Sequence, residues 1–299
     1  MRRFAAVLCF AVLLIVPQAH AATATGSIRD APIRTVRAGQ GTIGYRDVGH
    51  GRPLVLIMGL SGTMDSWEPV FADALARGRR VIAFDNEGIR RTTLGPGTLT
   101  VRRMGDDVAA LITHLRLGRA DVLGWSMGGM IAQALARAHP SLVRRLILCA
   151  TAPGDGTATL PAADVLAQLS GGTANAAGLL GLLFPPGRYA DTQSFVSALL
   201  SYPNPATVAP DSVTQAQLAA TGAWLAGKDP LGRPLRRLRL PVLVAGGALD
   251  VLLPVANQRR LAAAIQGAQL RIYPAAAHGF LFQERVAFVN EVRRFLSAP

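Results

Sequence analysis

A serine between two glycines is the side chain in this sequence best suited to covalent chemistry. Residues 124–128 read Gly-Trp-Ser-Met-Gly, which is the Gly-x-Ser-x-Gly pattern of a nucleophile elbow. An apolar run over residues 120–123 leads into the motif, and a segment with helical character over residues 127–138 follows it. The chain must turn sharply at the serine, and glycine on either side permits this turn. The pattern therefore predicts that Ser126 is a nucleophile between a strand and a helix.

A serine hydroxyl needs a base within hydrogen-bond reach, and the base needs an acid that orients it. His278 follows an apolar run at residues 270–273, and Asp250 follows another at residues 242–245. The chain order serine, aspartate, histidine is one of the known orders of such a triad. Because the carboxyl ends of parallel strands lie at one edge of a sheet, we expect the three side chains to meet there.

The acid has an alternative. Asp155 lies between two glycines after the apolar run at residues 143–149. Asp250 is preferred because the 28 residues from there to His278 leave room for one helix and one strand. Asp155 instead opens a stretch rich in glycine and proline, where an aspartate readily makes a turn. The other histidines beyond residue 21 lie in a turn, within a helical segment and before a proline: His50, His114 and His139.

A tetrahedral intermediate needs hydrogen-bond donors for its oxyanion. The backbone N–H of Met127, directly after the serine, is one candidate donor. The second is Leu60, in the Met-Gly-Leu-Ser-Gly segment at residues 58–62 that follows an apolar run, although this segment could also be a plain tight turn. Neither a metal-ligand spacing nor a Gly-x-Gly-x-x-Gly phosphate loop is evident in the sequence, so no metal and no cofactor are predicted.

Short buried-strand patterns alternate with helical patterns along most of the chain, which predicts a mostly parallel sheet covered on both faces. The expected strands are 33–36, 42–48, 54–58, 80–84, 122–125, 143–149, 241–245 and 270–273, and the expected helices are 67–76, 101–115, 127–138, 255–265 and 281–296. The alternation stops over residues 152–235, which hold nine prolines and short apolar pieces such as 179–184 and 195–200. We interpret this stretch as a helical insertion.

The composition indicates a folded chain. Half of the 299 residues are hydrophobic and 16% are charged, which suffices for a buried core. The net charge of +13 comes almost wholly from arginine, much of it in scattered pairs, with Lys228 the only lysine. Since no basic run is interleaved with aromatic residues, a nucleic-acid partner is not predicted. The charge indicates a solvated surface, with attraction to anionic surfaces or acidic substrates as the alternative.

The first residues resemble a secretory signal peptide. Arg2 and Arg3 precede an apolar segment at residues 4–16, and Ala-His-Ala at residues 19–21 matches a cleavage site, so cleavage is expected after Ala21. The alternative is an uncleaved anchor, but 13 apolar residues are fewer than the ~20 of a membrane span. The protein is therefore expected in the periplasm or outside the cell, with no membrane span after cleavage. Cys149 would then be the one cysteine left, so no internal disulfide forms.

Residues 124–132, Gly-Trp-Ser-Met-Gly-Gly-Met-Ile-Ala, are similar to the elbow of the capped esterase, lactonase and perhydrolase-like branch of the α/β-hydrolase fold. The resemblance implies an eight-stranded, mostly parallel sheet with helices on both faces. It implies a triad of Ser126, Asp250 and His278, a core of residues 22–151 and 236–299, and a lid at 152–235 inserted after the sixth strand.

Two segments depart from that family. Met58 and Gly59 stand where the family often has His-Gly, a change that leaves the backbone donor intact. Residues 85–92, Asp-Asn-Glu-Gly-Ile-Arg-Arg-Thr, share only the first Asp and the Gly with the loop usual after the fourth strand. That loop is usually structural, so the difference bears on local packing.

The residues and the resemblance together predict a serine hydrolase that cleaves a small, partly apolar ester and uses no cofactor. Lactone hydrolysis, carbon–carbon bond cleavage and cofactor-free perhydrolysis are alternatives on the same triad, because fold does not choose among them. A non-catalytic binding protein is the alternative of another class. The apolar residues 179–184 are expected either to line the pocket or to anchor the lid, and the oligomeric state stays open.

Overall fold

The computed structural model describes residues 26–170, 176–205, 209–232, 235 and 238–298, and these contain one eight-stranded sheet. Its spatial order is β1-β2-β4-β3-β5-β6-β7-β8, with the first two pairings antiparallel and the others parallel. The strands are β1 (Arg34–Ala38), β2 (Gly41–Gly49), β3 (Arg52–Ile57), β4 (Arg79–Phe84), β5 (Ala120–Trp125), β6 (Val143–Cys149), β7 (Val242–Gly247) and β8 (Gln269–Tyr273). The predicted mostly parallel sheet is confirmed.

Helices cover both faces of this sheet. In chain order they are α1 (Pro69–Ala76), α2 (Val101–His114), α3 (Met127–Ala138), α4 (Ala163–Ser170), α5 (Ala176–Leu183), α6 (Tyr189–Leu200), α7 (Asp211–Leu225), α8 (Ala256–Ala264), α9 (Phe280–Gln283) and α10 (Arg285–Ser297). Side chains of α2, α3 and α8 belong to the core on one face, and those of α1 and α10 to the core on the other. The central strands read as continuous apolar runs because both of their faces are buried.

The central strands bring their carboxyl ends to one edge of the sheet. In register, Leu56 of β3 pairs with Leu123 of β5, which pairs with Ile147 of β6, which pairs with Leu243 of β7. All four side chains are fully buried on the same face. The loops that follow β3, β5, β7 and β8 therefore start close together, as the sequence predicts for the candidate site.

The segment between β6 and β7 contains α4, α5, α6 and α7 and no strand among its described residues. Helix α7, with 15 residues, is longer than the short pieces that the sequence suggests. It packs Trp224 into the core, where the indole Nε1 donates to the carbonyl of Ala152 at 3.3 Å.

The predicted C-terminal helix at 281–296 is wrong in one detail, because Glu284 divides it into α9 and α10. Glu284 has a φ of −104° and a ψ of 31°, which depart from helical values, and before it Phe282 of α9 lies edge-on against Trp125 with ring centroids 5.4 Å apart. The proposed signal sequence at residues 1–21 and the glycines at 171 and 172 lie outside the described residues. Within the described ranges, none of the helices has the length and apolar character needed to cross a membrane.

Candidate active site

Ser126 occupies a strained turn between β5 and α3. Its φ of 59° and ψ of −124° are unusual for a side chain other than glycine, and such strain is frequent at functional sites. The neighbouring glycines permit the turn. A Cβ atom on Gly124 would collide with the backbone of Gly128, and one on Gly128 would collide with the carbonyl of Ile57. The N–H of Ser126 donates to the carbonyl of Cys149 at 2.9 Å, which ties the turn to β6.

Asp250 and His278 are joined by a buried hydrogen bond. Nδ1 of His278 lies 2.8 Å from Oδ2 of Asp250, and the two side chains are 3% and 0% exposed. The other carboxylate oxygen of Asp250 accepts from the N–H groups of Leu252 and Leu253, both at 2.9 Å. Because Nδ1 is engaged by the carboxylate, Nε2 is the ring nitrogen of His278 that is available as a base.

The loop that carries His278 is held from two sides. The backbone carbonyl of His278 accepts from Nε1 of Trp125 at 3.0 Å, and the rings of Trp125 and His278 lie with centroids 5.4 Å apart. The N–H of Gly279 donates at 2.7 Å to the carbonyl of Leu183, the last residue of α5. The position of the histidine loop thus depends on both the core and the insertion.

Asp155, the alternative acid, makes a local turn instead. Its Oδ1 accepts from the N–H of Thr157 at 3.0 Å and from the hydroxyl of the same residue at 2.6 Å. This arrangement is the turn that the glycine- and proline-rich surroundings suggest. The structure therefore brings the carboxylate of Asp250 to His278, and holds that of Asp155 in a turn of its own.

The loop after β3 passes directly over the serine. A Cβ atom on Gly59 would lie 3.1 Å from Cβ of Ser126, so only glycine fits comfortably there. The chain then turns, with the N–H of Gly62 donating to the carbonyl of Gly59 at 3.3 Å. Leu60 in this turn and Met127 after the serine both line the cavity at the site. Both residues predicted to donate to the oxyanion therefore line the same cavity as Ser126.

The unusual segment at residues 85–92 braces this loop. Nδ2 of Asn86 donates to the carbonyl of Met58 at 2.8 Å, and Oδ1 of Asp85 accepts from the N–H of Met64 at 2.7 Å. Burial raises the pKa of Asp85 to about 7. The sequence predicts only a packing role for this segment and does not indicate Asn86. Asn86 lies directly after β4, which is the neighbour of β3 in the sheet, and this position could have indicated contact with the loop after β3.

A cavity of about 360 Å³ opens in front of Ser126 and His278. Most of its wall is apolar, and helices α4 to α7 supply much of it through Leu166, Leu169, Leu183, Phe195, Leu199, Leu218 and Leu225. Leu183 is thus a lining residue, whereas Phe184 is buried in the core cluster that also contains Phe280 of α9. The apolar segment at 179–184 therefore both lines the cavity and packs on the core, through different residues; the side chain of Leu179 lies outside the described part.

The sequence matches a family model described as the alpha/beta hydrolase fold, over residues 52–285. This range includes β3 to β8, the elbow and the loops that carry Asp250 and His278. The chain belongs to the α/β-hydrolase family.

Relatives within this family differ in the activity that their names give. A protein named as a carbamate hydrolase, RutD, from Caulobacter sp. is 30% identical over 270 residues, covering 85% of this chain and 95% of its own. A protein named as a non-heme bromoperoxidase, BpoC, from Mycobacterium tuberculosis is also 30% identical, covering 86% of this chain and 98% of its own. The family is therefore clear, but these names do not select one bond or acceptor.

Solved structures of α/β-hydrolases superpose on most of the chain. An alpha/beta hydrolase fold protein from Chitinophaga pinensis has a TM-score of 0.82 at 26% identity, covering 92% of this chain and all of its own. The esterase RhEst1 from Rhodococcus sp. has a TM-score of 0.72 at 26% identity, covering 89% and 98%. With the family and these hydrolases, the chain is an enzyme of the hydrolase class.

The described parts of this α/β-hydrolase hold no cluster of three or more histidine, cysteine or acidic side chains that could bind a metal ion. Cys149, in β6, is buried and unpaired, and burial raises the pKa of its thiol well above the usual value. Its side chain packs in the core, as a small hydrophobic residue would.

Proposed function

We propose that this α/β-hydrolase cleaves a carboxylic ester through a covalent acyl-enzyme, with Ser126 as nucleophile, His278 as base and Asp250 as the acid that orients the base. One observation carries the proposal: the serine of a strained elbow and a histidine bound to a buried carboxylate face the same apolar cavity. A serine and a histidine arranged in this way are typical of nucleophilic catalysis.

In the first half of the proposed reaction, Nε2 of His278 accepts the proton of the Ser126 hydroxyl as Oγ attacks the carbonyl carbon of the ester. The oxyanion that forms accepts hydrogen bonds from the backbone N–H groups of Met127 and Leu60. The intermediate then expels the alcohol, which receives its proton from His278. In the second half, His278 deprotonates a water that attacks the acyl carbon, and the acid leaves with Ser126 restored.

Asp250 acts through His278. Its hydrogen bond at Nδ1 fixes the tautomer that leaves Nε2 unprotonated, and its charge stabilises the imidazolium of the intermediate. The two backbone N–H groups at its other oxygen hold the carboxylate in place. Removal of the charge therefore affects the rate more than the fold.

The insertion, residues 152–235, is proposed to act as a lid that sets the preference for the acyl group of the substrate. The support is that its helices supply many of the apolar side chains of the cavity wall. A cavity of about 360 Å³ is within the usual range for a small ligand. We therefore propose a small, partly apolar ester as the substrate.

The test is a panel of esters, lactones, thioesters and carbamates, run on the wild type beside Ser126→Ala, together with an assay for peracid formation. We expect ester turnover in the wild type and a loss on the order of 10⁴ or more in the variant. A fluorophosphonate should add one phosphonyl group to Ser126. Undiminished labelling of Ser126→Ala, or fastest turnover of another bond in the panel, would reject the corresponding part of the proposal.

We further propose that the protein is exported and begins near Ala22 after cleavage. The support is the arginine pair, the apolar segment and the small-residue site at the N-terminus. N-terminal sequencing of the protein recovered from the periplasm or medium of a bacterial host tests it. A chain that starts at Met1 in the membrane fraction would contradict it.

A further inference from the structure

Helix α7 of the insertion makes direct polar contact with the loop after β3. The N–H of Ser61 donates to Oε1 of Gln217 at 2.8 Å, and the hydroxyl of Ser61 bonds to the hydroxyl of Thr214 at 2.8 Å. The side chain of Gln217 is fully buried. Residues more than 150 positions apart in the chain thus meet one residue after Leu60.

Ser61 needs this support because of its backbone conformation. Its φ of 56° lies in the left-handed region, which side chains other than glycine rarely adopt. It is the third residue of the turn closed by the bond from Gly62 to Gly59, and a positive φ at that place is the mark of a type II turn, where glycine is usual. Here a serine holds the conformation, and its N–H points at a fixed acceptor.

Gln217 has a buried polar group that packing alone does not explain. Its Nε2 has no hydrogen-bond partner among the described residues, so the amide is buried with only its oxygen satisfied. Burial of an unpaired amide donor is unfavourable, and a methionine would fill a similar space without it. We therefore assign the role of this side chain to Oε1, which accepts from the N–H of Ser61.

We propose that Gln217 is a positioning residue: by holding the N–H of Ser61, it keeps the Gly59–Gly62 turn in the conformation that presents the N–H of Leu60 to the oxyanion. The inference rests on the proposed function. It makes the insertion part of the oxyanion hole as well as the wall of the pocket. Loss of the acceptor lets the turn relax toward a negative φ and misplaces the donor in the transition state.

The first experiment compares Gln217→Met with Gln215→Met, the same change at an exposed position of the same helix. Complete loss of an oxyanion donor lowers kcat by roughly 10²–10³, and a misplaced donor should lower it less, by about tenfold. KM should stay within about twofold, because the donor acts in the transition state. The affinity for phenylboronic acid, whose serine adduct is tetrahedral, should fall by a factor similar to that in kcat. Gln215→Met should match the wild type.

The second experiment separates positioning of the turn from stability of the insertion. Glycine adopts a positive φ without strain, so the Ser61→Gly background should need Gln217 less. We expect Gln217→Met to lower kcat by about tenfold in the wild type but less than about threefold in Ser61→Gly. An undiminished loss in that background would show that Gln217 stabilises the insertion only, and overturn the proposal. A rise in KM alone, or a kcat within twofold of the wild type, would also overturn it.

Two further variants keep the test decisive. Gln217→Glu retains an acceptor oxygen and should keep kcat within about threefold of the wild type. Thr214→Val removes only the bond to the Ser61 hydroxyl, and we expect kcat to fall about threefold at constant KM and melting temperature. If Gln217→Met does not fold, Gln217→Leu takes its place, and an unchanged kcat in that variant overturns the proposal. If the wild type neither turns over esters nor reacts at Ser126, the proposed function itself fails; an active wild type with an equally active Gln217→Met defeats this inference alone.

Discussion

Replacement of Asp250 by asparagine would change the hydrogen-bonding character of one atom in the buried pair. In the structure, Oδ1 accepts from the N–H groups of Leu252 and Leu253, while Oδ2 faces Nδ1 of His278. An asparagine keeps its oxygen at the two backbone donors, because its amide nitrogen cannot accept from them. Its NH₂ group then faces Nδ1 and donates to it, which forces the histidine proton onto Nε2. In that tautomer His278 cannot accept the proton of Ser126.

The expected loss follows from this geometry. The variant loses both the correct tautomer and the charge that stabilises the imidazolium, which together cost roughly 10³–10⁴ in kcat. At 1.36 kcal/mol for each factor of ten, this is about 4–5.5 kcal/mol in the activation free energy. The melting temperature should change little, because the shape and both backbone bonds are retained. The serine should still react with a fluorophosphonate, but slowly.

The assay is kcat for an aryl ester, measured for Asp250→Asn and for Asp155→Asn as its matched control. Among the described residues, the carboxylate of Asp155 bonds to Thr157 within its own turn, so its variant should lose less than about tenfold. If Asp250→Asn keeps kcat within tenfold of the wild type, or if the two variants exchange their effects, Asp250 is not the acid of the triad and the reasoning is refuted.

Three further outcomes follow from the site and its supports. Since the cavity wall is apolar, each CH₂ added to the acyl chain from acetyl to hexanoyl should gain about 0.8 kcal/mol, close to fourfold in kcat/KM, until the cavity is full; a flat series would reject an apolar acyl site. Gly124→Ala places a methyl group against the backbone of Gly128, so thermal unfolding should occur several degrees lower than in the wild type; an unchanged melting temperature would show that the elbow can relax. Burial raises the pKa of Asp85 from 3.8 to about 7 in the fold, so the folded state binds the extra proton and stability falls as pH rises across this window. Asp85→Asn should reduce that slope in denaturant titrations from pH 4 to 8, and an identical slope would contradict the assignment.

The elements nearest Ser126 were predictable because glycines in the sequence mark the turn between them. Helix α3 and strand β6 begin and end at the residues that the sequence indicates, and the turn at Ser126 is enforced by two glycines that have no room for a Cβ atom. The pairing of His278 with Asp250 rather than Asp155 also agrees with the order and spacing of the strands. In both cases a local rule and the global topology point the same way.

The remaining features depend on contacts between distant segments. Helix α7 lacks a clear apolar stripe, because part of its buried face is polar. Oε1 of Gln217 on that face accepts from the loop after β3. The helical pattern in the sequence continues across the break at Glu284, where Phe282 packs against Trp125 of the distant strand β5. Asn86 acts on a carbonyl 28 positions away. No periodicity in a single sequence encodes such partners.

The bond between Gly279 and Leu183 bears on how substrate range can change in this enzyme. Leu183 contributes its side chain to the cavity wall and its carbonyl to the loop of His278. A backbone carbonyl is present whatever the side chain, so a substitution at 183 can enlarge or narrow the pocket while the support of the histidine loop remains. Exchange of the whole insertion for another would remove that support as well. Single substitutions at this wall can therefore change the substrate specificity without loss of the support for the His278 loop. Replacement of the whole insertion would change the specificity and remove that support together.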